Sequence, residues 1–308
     1  MRLFITGISG LLGLNVALAA RGTFEVAGCY LTHPVATPGL TVYAADARDP
    51  EAMNRVFALA RPDIVIHAVG LSSVDGCEND PDIAYQVNVG AAREVARVAR
   101  SRGARLVHIS TDHLFDGERS WRTEDDPLAP LNVYAKTKGE AEHAVLREHP
   151  GALVVRTNFY GWGTSVRVSF SDWVLRGLSE GHPLTMFEDV HFTPILVNDL
   201  AESLFSLVKT GASGIIHVAG GERVSKYEYA MLAAEVFGLG ADCVRAVPAD
   251  SVVLRAPRPR DMSLACRRAE GILGRPMPSL REGLLRLRAL RERRWPGLLQ
   301  AAVDAGRE

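Results

Sequence analysis

Tyr134 and Lys138 have the spacing of a proton-transfer pair on one helix. The stretch around them is predicted to be helical, and a separation of four residues places both side chains on the same face. A tyrosine ionises at about pH 10, and a neighbouring ammonium favours the phenolate and lowers that pKa. The pair can therefore exchange a proton at neutral pH. Because Tyr-x-x-x-Lys also occurs by chance, its meaning depends on what precedes it in the chain.

A glycine-rich loop lies far upstream, after the first predicted strand. Gly7, Gly10 and Gly13 open the first predicted helix. Glycines let the backbone turn sharply and approach a pyrophosphate, which then lies at the positive end of the helix. The spacing Gly-x-x-Gly-x-x-Gly differs from the commoner Gly-x-Gly-x-x-Gly, and a plain glycine-rich turn is the alternative. Its place after strand one favours a dinucleotide loop, which would also bring Leu11 and Leu12 to the cofactor.

The end of the second predicted strand bears on the choice between NAD(H) and NADP(H). NAD-binding proteins place an acidic residue about 20 residues past the fingerprint, where it holds the ribose hydroxyls. This chain reads Cys-Tyr-Leu-Thr-His at 29–33, without a carboxylate and without an arginine for a 2′-phosphate. The missing carboxylate removes a repulsion against phosphate and favours NADP(H) over NAD(H). His33 or Arg21 would then supply positive charge.

Thr111 ends the fifth predicted strand. A hydroxyl at the C-terminal end of a parallel strand faces the crevice in which ligands bind, so Thr111 is predicted to lie in the same crevice as the glycine loop. Capping of a turn is the alternative role for this residue.

Short apolar runs alternate with helical patterns through the first half of the chain. Strands are predicted at 3–6, 25–30, 41–45, 63–68, 106–110 and 153–157, and helices at 11–21, 50–60, 81–102 and 132–148. Further on, helices are predicted at 197–209, 225–237 and 280–291 and a strand at 215–219. This order predicts an α/β fold with a Rossmann-like, doubly wound parallel sheet. We expect an NAD(P)-binding domain at 1–160 and mainly a smaller substrate-binding region at 161–308, with segments at about 191–220 returning to the first domain.

The composition excludes several classes of protein. The 308 residues are 47% hydrophobic and 23% charged, and the formal net charge of −1 gives no field that recruits nucleic acid or an acidic membrane. The arginines near the C-terminus are therefore interpreted as a solvated helix face. The four widely spaced cysteines predict reduced thiols and no zinc site. No apolar run reaches the roughly 18 residues of a membrane span, and the early first strand leaves no room for a signal peptide, so we expect a cytoplasmic protein.

Taken together, these motifs resemble the extended short-chain dehydrogenase/reductase family, and within it the dTDP-4-dehydrorhamnose reductase-like branch of sugar-nucleotide reductases. Beyond the glycine loop, Thr111 and the Tyr/Lys pair, the matching stretches are 61–68, 74–75, 85–89, 110–112, 192–194, 199–201 and 258–264. The resemblance covers nearly the whole chain.

The resemblance implies an enzyme that reduces a 4-keto-6-deoxy sugar nucleotide with hydride from NAD(P)H. Tyr134 would protonate the developing alkoxide and Thr111 would hydrogen-bond it. Lys138 would hold the nicotinamide ribose and lower the pKa of Tyr134. The implied cofactor contacts are Gly7, Gly10, Leu11, Leu12, Gly13, Asp46 (on the adenine), Ala47, Ala68, Val69, Gly70, Lys138 and Asn158, and the implied substrate contacts are Ser73, His113, Phe159 and Arg258.

Several of these residues have structural alternatives. Asp46 can instead begin the next helix, and Asn88 can be a buried structural amide rather than part of a proton path. Arg258 and Arg260 can form surface salt bridges rather than bind a substrate diphosphate.

His113 separates the activities found in the family. Related dehydratases carry Thr-Asp-Glu here, and the histidine cannot serve as that carboxylate, which disfavours a dehydratase. An epimerase is one alternative, because it needs much the same Thr/Tyr/Lys apparatus. A non-catalytic NADP-binding protein is another, because the branch also resembles the regulatory subunit of methionine adenosyltransferase. The resemblance further implies a nucleotide-sugar substrate and a homodimer packed through 81–102 and 132–148. The sugar, and a metal at a subunit interface, stay open.

Overall fold

A seven-stranded parallel sheet forms the centre of the structure, a computed structural model that describes residues 1–307. In chain order, the strands inside and outside this sheet are β1 (Arg2–Thr6), β2 (Glu25–Tyr30), β3 (Leu40–Ala44), β4 (Ile64–His67), β5 (Arg105–Ile109), β6 (Leu153–Arg156), β7 (Phe159–Tyr160), β8 (Leu184–Phe187), β9 (His191–Phe192), β10 (Ile195–Leu196), β11 (Gly214–His217), β12 (Val224–Ser225) and β13 (Val244–Val247). The sheet order is β11-β6-β5-β4-β1-β2-β3. The predicted Rossmann-like α/β fold is confirmed.

Helices cover both faces of this sheet. They are α1 (Leu11–Ala20), α2 (Pro50–Ala60), α3 (Val74–Asn79), α4 (Pro81–Tyr85), α5 (Ala91–Ser101), α6 (Val133–Glu148), α7 (Phe170–Glu180), α8 (Val197–Thr210), α9 (Lys226–Phe237), α10 (Arg267–Leu273), α11 (Leu280–Glu292) and α12 (Trp295–Arg307). Alternate residues of β1 enter different cores: Leu3 and Ile5 pack on one face of the sheet and Phe4 on the other. The apolar run of β1 is therefore uninterrupted from Leu3 to Ile5.

The second half of the chain builds a smaller region and also extends the sheet. β11 pairs in parallel with β6, from Gly214 opposite Leu153 to His217 opposite Arg156. Short two-stranded pairs (β7 with β10, β8 with β13, and β9 with β12) lie outside the sheet. The chain thus returns to the edge of the sheet after it has begun the smaller region.

The helix predicted at 81–102 is present at 81–101, but it is not α-helical throughout. It consists of α4, a π-helical turn at Gln86–Gly90, and α5. Asn88 lies in this turn and its amide binds Leu71, with its oxygen 2.8 Å from the Leu71 nitrogen, and its Nδ2 donates to Thr137 Oγ1 at 3.0 Å. The turn therefore accommodates a buried side chain that ties α6 to the loop after β4, which fits the structural-amide alternative for Asn88.

Two further features concern the chain as a whole. Across the described part of the chain, no helix is long and apolar enough to cross a membrane. The four cysteines are free thiols, and three of them are buried.

Gly13 is expected to be required for folding of the loop after β1. An added Cβ would lie 2.2 Å from the Gly7 oxygen and 2.8 Å from the Ile8 Cα. Gly13→Ala should lower the free energy of unfolding by about 1–3 kcal/mol, measured by urea unfolding without ligand. Gly90→Ala is the matched control, because its Cβ would meet nothing within 4 Å. An equal loss in both variants would contradict the steric explanation.

Candidate active site

A cleft follows the C-terminal edge of the sheet, where β1, β2, β3 and β4 end. It has two halves, with volumes of about 300 and about 250 Å³. The residues that line both halves are Gly10, Ala68, Val69, Gly70 and Arg167. Ligands of open parallel sheets bind outside the carboxyl ends of the strands, so this cleft is the candidate active site.

The glycine loop is shaped to hold an anion at the centre of the cleft. The backbone nitrogens of Gly7 and Ile8 both donate to the Cys29 carbonyl at 3.0 Å, and Gly7 has a φ of +72°, which favours glycine. No side chain caps α1 and its first turn holds no acidic residue. The N–H groups of that turn are therefore free to bind a phosphate. Gly10, Leu11, Leu12 and Gly13 all line the adjoining half of the cleft.

The larger half contains an arginine that the sequence analysis did not find. Asp46, Ala47 and Arg48 follow β3 and line this half together with His33. Arg48 pairs with Asp46 at 2.6 Å, and this hydrogen bond lowers the pKa of the Asp46 carboxyl. The residues at the end of β2, from which the cofactor preference was predicted, do not include this arginine. Because β2 and β3 are parallel neighbours, residues after β3 reach the same pocket.

Asp46 does not begin the next helix. The N-cap of α2 is Asp49, whose side chain accepts hydrogen bonds from the backbone nitrogens of Glu51 and Ala52. Asp46 instead keeps its carboxylate in the cleft, held by Arg48.

Tyr134, Lys138 and Phe159 line the smaller half of the cleft. Lys138 is buried, and its ammonium donates to the Ile109 carbonyl at 2.7 Å. The buried Thr111 hydroxyl accepts from the His113 backbone nitrogen at 3.3 Å, donates to Asp112 at 3.3 Å, and lies close enough to Tyr134 to lower its pKa. The three residues predicted to be catalytic therefore meet at the end of β5.

The pKa of Tyr134 is raised above its ordinary value. Burial is the main cause, Thr111 lowers the pKa in part, and the nearby Asp112 raises it again. Lys138 is not among the groups that shift it, and burial lowers the pKa of Lys138 itself to about 8. Desolvation therefore favours the neutral phenol of Tyr134.

A buried ion pair lies beneath Lys138. Glu142, one helical turn further along α6, pairs with Arg156 at 2.8 Å, and both side chains are at most 2% exposed. Glu142 also accepts a hydrogen bond from Ser110 and raises the pKa of Lys138 against the effect of burial. The Glu142 carboxylate therefore pairs with Arg156 and also favours the charged form of Lys138.

Two buried histidines lie on the other side of Lys138. The rings of His67 and His108 stack at 5.3 Å between centroids, and Thr6 Oγ1 lies 2.7 Å from His67 Nδ1. Burial, with the charge of Lys138, lowers the pKa of His67 to about 3 and that of His108 well below its usual value. Both rings are therefore neutral and add no second positive charge.

The residues predicted to bind substrate are divided between the cleft and the surface. The His113 ring stands edge-on to the Tyr134 ring, with centroids 5.6 Å apart. Ser73 instead caps α3 by accepting from the Gly76 nitrogen, and Arg258 pairs with Asp75 at 3.0 Å. The contacts observed for Ser73 and Arg258 are thus with other groups of the protein.

Asn158 and Arg260 are likewise engaged by protein groups. Asn158 Nδ2 donates to Asp112 at 2.8 Å, and Asn158 does not line the cleft. The amide nitrogen holds Asp112, and the predicted contact of Asn158 with a cofactor stays a prediction. Arg260 pairs with Asp189 and Asp250, as the salt-bridge alternative requires.

Lys226 is a further residue near the site that the sequence did not reveal. Its ammonium lies 3.2 Å from the centre of the Phe192 ring, and burial lowers its pKa to about 8 while the charge of Asp112 raises it. It also bears electrostatically on His113. Only the fold brings the first residue of α9 to the end of β5, and no local motif signals this.

Among residues 1–307, no group of three or more His, Cys, Asp or Glu side chains could hold a metal ion.

Comparison with known proteins gives matches over almost the whole chain. A family model described as "RmlD substrate binding domain" matches residues 1–291. A dTDP-4-dehydrorhamnose reductase of Mycobacterium tuberculosis is 35% identical over 84% of this chain and 82% of its own. The methionine adenosyltransferase 2 subunit beta of Mus musculus is 31% identical over 97% of this chain and 88% of its own.

A solved structure has the same architecture. The dTDP-4-dehydrorhamnose reductase from Bacillus anthracis in complex with NADP superposes with a TM-score of 0.82 at 27% identity, covering 94% of this chain and 98% of that one.

Lys138 is expected to titrate at about pH 8, as is Lys226. Glu142→Gln should lower the pKa of Lys138 and leave that of Lys226 unchanged, because only Lys138 is raised by Glu142. Asp112→Asn should do the reverse. NMR of isotope-labelled lysine side chains measures both, with Lys138→Met and Lys226→Met to assign the signals. A pKa of Lys138 that does not respond to Glu142→Gln would contradict the electrostatic link.

Proposed function

The chain belongs to the family described as RmlD substrate binding domain, and we propose that it reduces a 4-keto-6-deoxy sugar nucleotide with NAD(P)H. The resemblance to the dTDP-4-dehydrorhamnose reductase-like branch, inferred from the sequence, is confirmed by this match and by the 35% identical reductase. The substrate and the proton donor are our proposals.

The cleft fits a nicotinamide dinucleotide. The uncapped N-terminus of α1 and the left-handed Gly7 suit a pyrophosphate, and the two halves on either side suit the two nucleosides. When bound, the dinucleotide supplies the hydride. Lys138 would hold the ribose of the nicotinamide, while Asp46 and Arg48 would hold the adenosine end.

The observation that carries the proposal is the geometry of the smaller half of the cleft, which Tyr134 and Lys138 line together, with Thr111 close to the Tyr134 side chain. Reduction of a ketone creates an alkoxide that needs a proton, and a neutral phenol has one to give. The Thr111 hydroxyl would donate a hydrogen bond to the same oxygen where negative charge develops. The buried Lys138 ammonium adds positive charge on that side of the cleft.

An epimerase needs much the same Thr/Tyr/Lys apparatus, and its tyrosine must both remove and return a proton. The similarity to the 35% identical dTDP-4-dehydrorhamnose reductase supports reduction over epimerisation. The presence of Thr111, Tyr134 and Lys138 together also supports an enzyme over a purely regulatory subunit.

We propose NADP(H) as the preferred cofactor, on the position of Arg48. Its guanidinium lines the larger half of the cleft beside His33, and guanidinium groups suit phosphate. The partner Asp46 can accept from a ribose hydroxyl, so the pair offers ligands for both forms of the adenosine ribose.

Consumption of NADPH and NADH with a panel of dTDP- and GDP-linked 4-keto-6-deoxyhexoses tests the proposed activity. We expect turnover with at least one of these substrates. Tight NADPH binding without any turnover would overturn the reductase proposal and favour the regulatory alternative.

Tyr134→Phe is expected to reduce kcat by about 10²- to 10⁴-fold, because it deletes the proton that the alkoxide receives. The affinity for NADPH should change little, since the ring and its contact with His113 remain. Steady-state kinetics and a binding titration measure the two quantities. Tyr43→Phe, which removes a hydroxyl from β3, is the matched control. Undiminished turnover in Tyr134→Phe would exclude it as the proton donor.

Arg48→Ala is expected to raise the KM for NADPH about 10- to 100-fold and to leave that for NADH nearly unchanged, because a charge-assisted contact with the 2′-phosphate is lost. Arg55→Ala is the control, since this exposed arginine of α2 pairs only with Glu51. Equal effects on both cofactors would contradict a role in 2′-phosphate recognition.

A further inference from the structure

The last helix, α12, lies against both walls of the cleft. The family match ends at residue 291, and α12 begins at Trp295. Leu299, Ala302 and Val303 of this helix are almost fully buried, so α12 is an integral part of the core. Its contacts identify what it holds in place.

One contact is with the loop between β2 and β3. The backbone nitrogen of Ala36 donates to the Ala302 carbonyl at 2.8 Å. Gly306 packs so closely on this loop that an added Cβ would lie 2.5 Å from the Pro34 oxygen. The preceding residues of the same loop, 31–33, line the larger half of the cleft, in which the adenosine end of the cofactor is proposed to bind. The position of that wall is therefore set by α12.

A second contact is with the loop between β7 and α7. Gln300 accepts from the Ser165 backbone nitrogen at 2.9 Å and donates to the Ser165 hydroxyl at 3.0 Å. The loop is closed by paired backbone bonds between Thr164 and Arg167. Residues 166–168 then form the opposite wall of the cleft.

A third contact joins α12 to α1, the helix that follows the glycine loop. Trp295 Nε1 donates to Asn15 Oδ1 at 2.8 Å, and Asn15 Nδ2 donates to the Trp162 carbonyl at 3.0 Å. The start of α12, α1 and the start of the β7–α7 loop are thus one connected unit.

Arg167 is the charged group that this arrangement presents to the cleft. It lines both halves, together with Gly10 of the phosphate-binding loop. Within residues 1–307 its guanidinium forms no ion pair or side-chain hydrogen bond, in contrast to Arg48. A guanidinium placed at the junction of the two halves suits the pyrophosphate between two nucleosides.

We propose that α12 is a clasp that holds the loops at 31–36 and 163–168 across the cleft and so positions Arg167 on the cofactor pyrophosphate. The proposal rests on the proposed function, because it requires a dinucleotide in the cleft. Ala302, Gly306 and Gln300 are positioning residues in this arrangement, and only Arg167 contacts the ligand.

Gly306→Ala tests the clasp, with Gly297→Ala as the matched control. Both add one methyl group to α12, but the Cβ at position 297 would meet nothing within 4 Å. We expect Gly306→Ala to raise the Kd for NADPH about tenfold and the KM for NADPH in parallel, with kcat at saturating NADPH unchanged. Gly297→Ala should change none of these.

Two further variants keep the test independent of folding. Gln300→Ala removes only the contact with Ser165 and should also raise the Kd, and Arg167→Ala should raise it with partial rescue in Arg167→Lys. Once Arg167 is replaced by alanine, adding Gln300→Ala should have little further effect, because Gln300 acts through Arg167.

The outcomes separate this proposal from the proposed function. Unchanged Kd in Gly306→Ala and Gln300→Ala, or a loss of kcat without a change in Kd, overturns the clasp alone. An unmodified protein that binds neither NADPH nor NADH overturns both proposals. NADPH binding that depends on the clasp without turnover of any sugar nucleotide supports the clasp and overturns only the reductase.

Discussion

The arrangement of the site depends on the buried pair between Glu142 and Arg156. Arg156 ends β6 and Glu142 lies on α6, and the same carboxylate also accepts from Ser110 after β5. The Arg156 guanidinium reaches His217 at the end of β11, 3.4 Å away. One ion pair therefore fixes the helix that carries the Tyr/Lys pair to the ends of three strands. Loss of one partner of a buried pair costs about 3–5 kcal/mol, so this position tolerates little change.

The pair between Glu142 and Arg156 also affects the charge of Lys138, because Glu142 raises the pKa of that lysine. A buried lysine tends to lose its proton, and a carboxylate one turn away opposes that tendency. The neutral His67 and His108 add no further positive charge beside Lys138. Burial favours the neutral form of Tyr134, and the Glu142 carboxylate favours the charged form of Lys138.

Local patterns in the sequence were enough for the architecture and for the centre of the site. Continuous apolar strands, the glycines after β1 and the four-residue spacing on α6 each encode a local geometry that survives in the fold. Properties that depend on neighbours distant in the chain were not accessible. Arg48 was missed because strand adjacency, and not distance along the chain, brings it to the pocket. The raised pKa of Tyr134 follows from burial, which a four-residue spacing does not encode.

Two further polar contacts also lie beyond local patterns. The Asn158 amide holds Asp112, which lies one strand away. The π-helical turn at 86–90 contains Asn88, whose side chain binds the loop after β4. In both cases a polar group satisfies a buried partner, and sequence periodicity carries no information about such pairing.

The position of β11 at one edge of the sheet has a consequence for synthesis of the protein. β6 is complete at residue 156, whereas its outer neighbour begins at residue 214. On the ribosome, the backbone groups along the outer side of β6 therefore stay without their strand partner while nearly sixty further residues are translated. An unpaired strand edge invites pairing with other chains. The outer edge of β6 is consequently open to pairing with other chains in this interval, until β11 covers it.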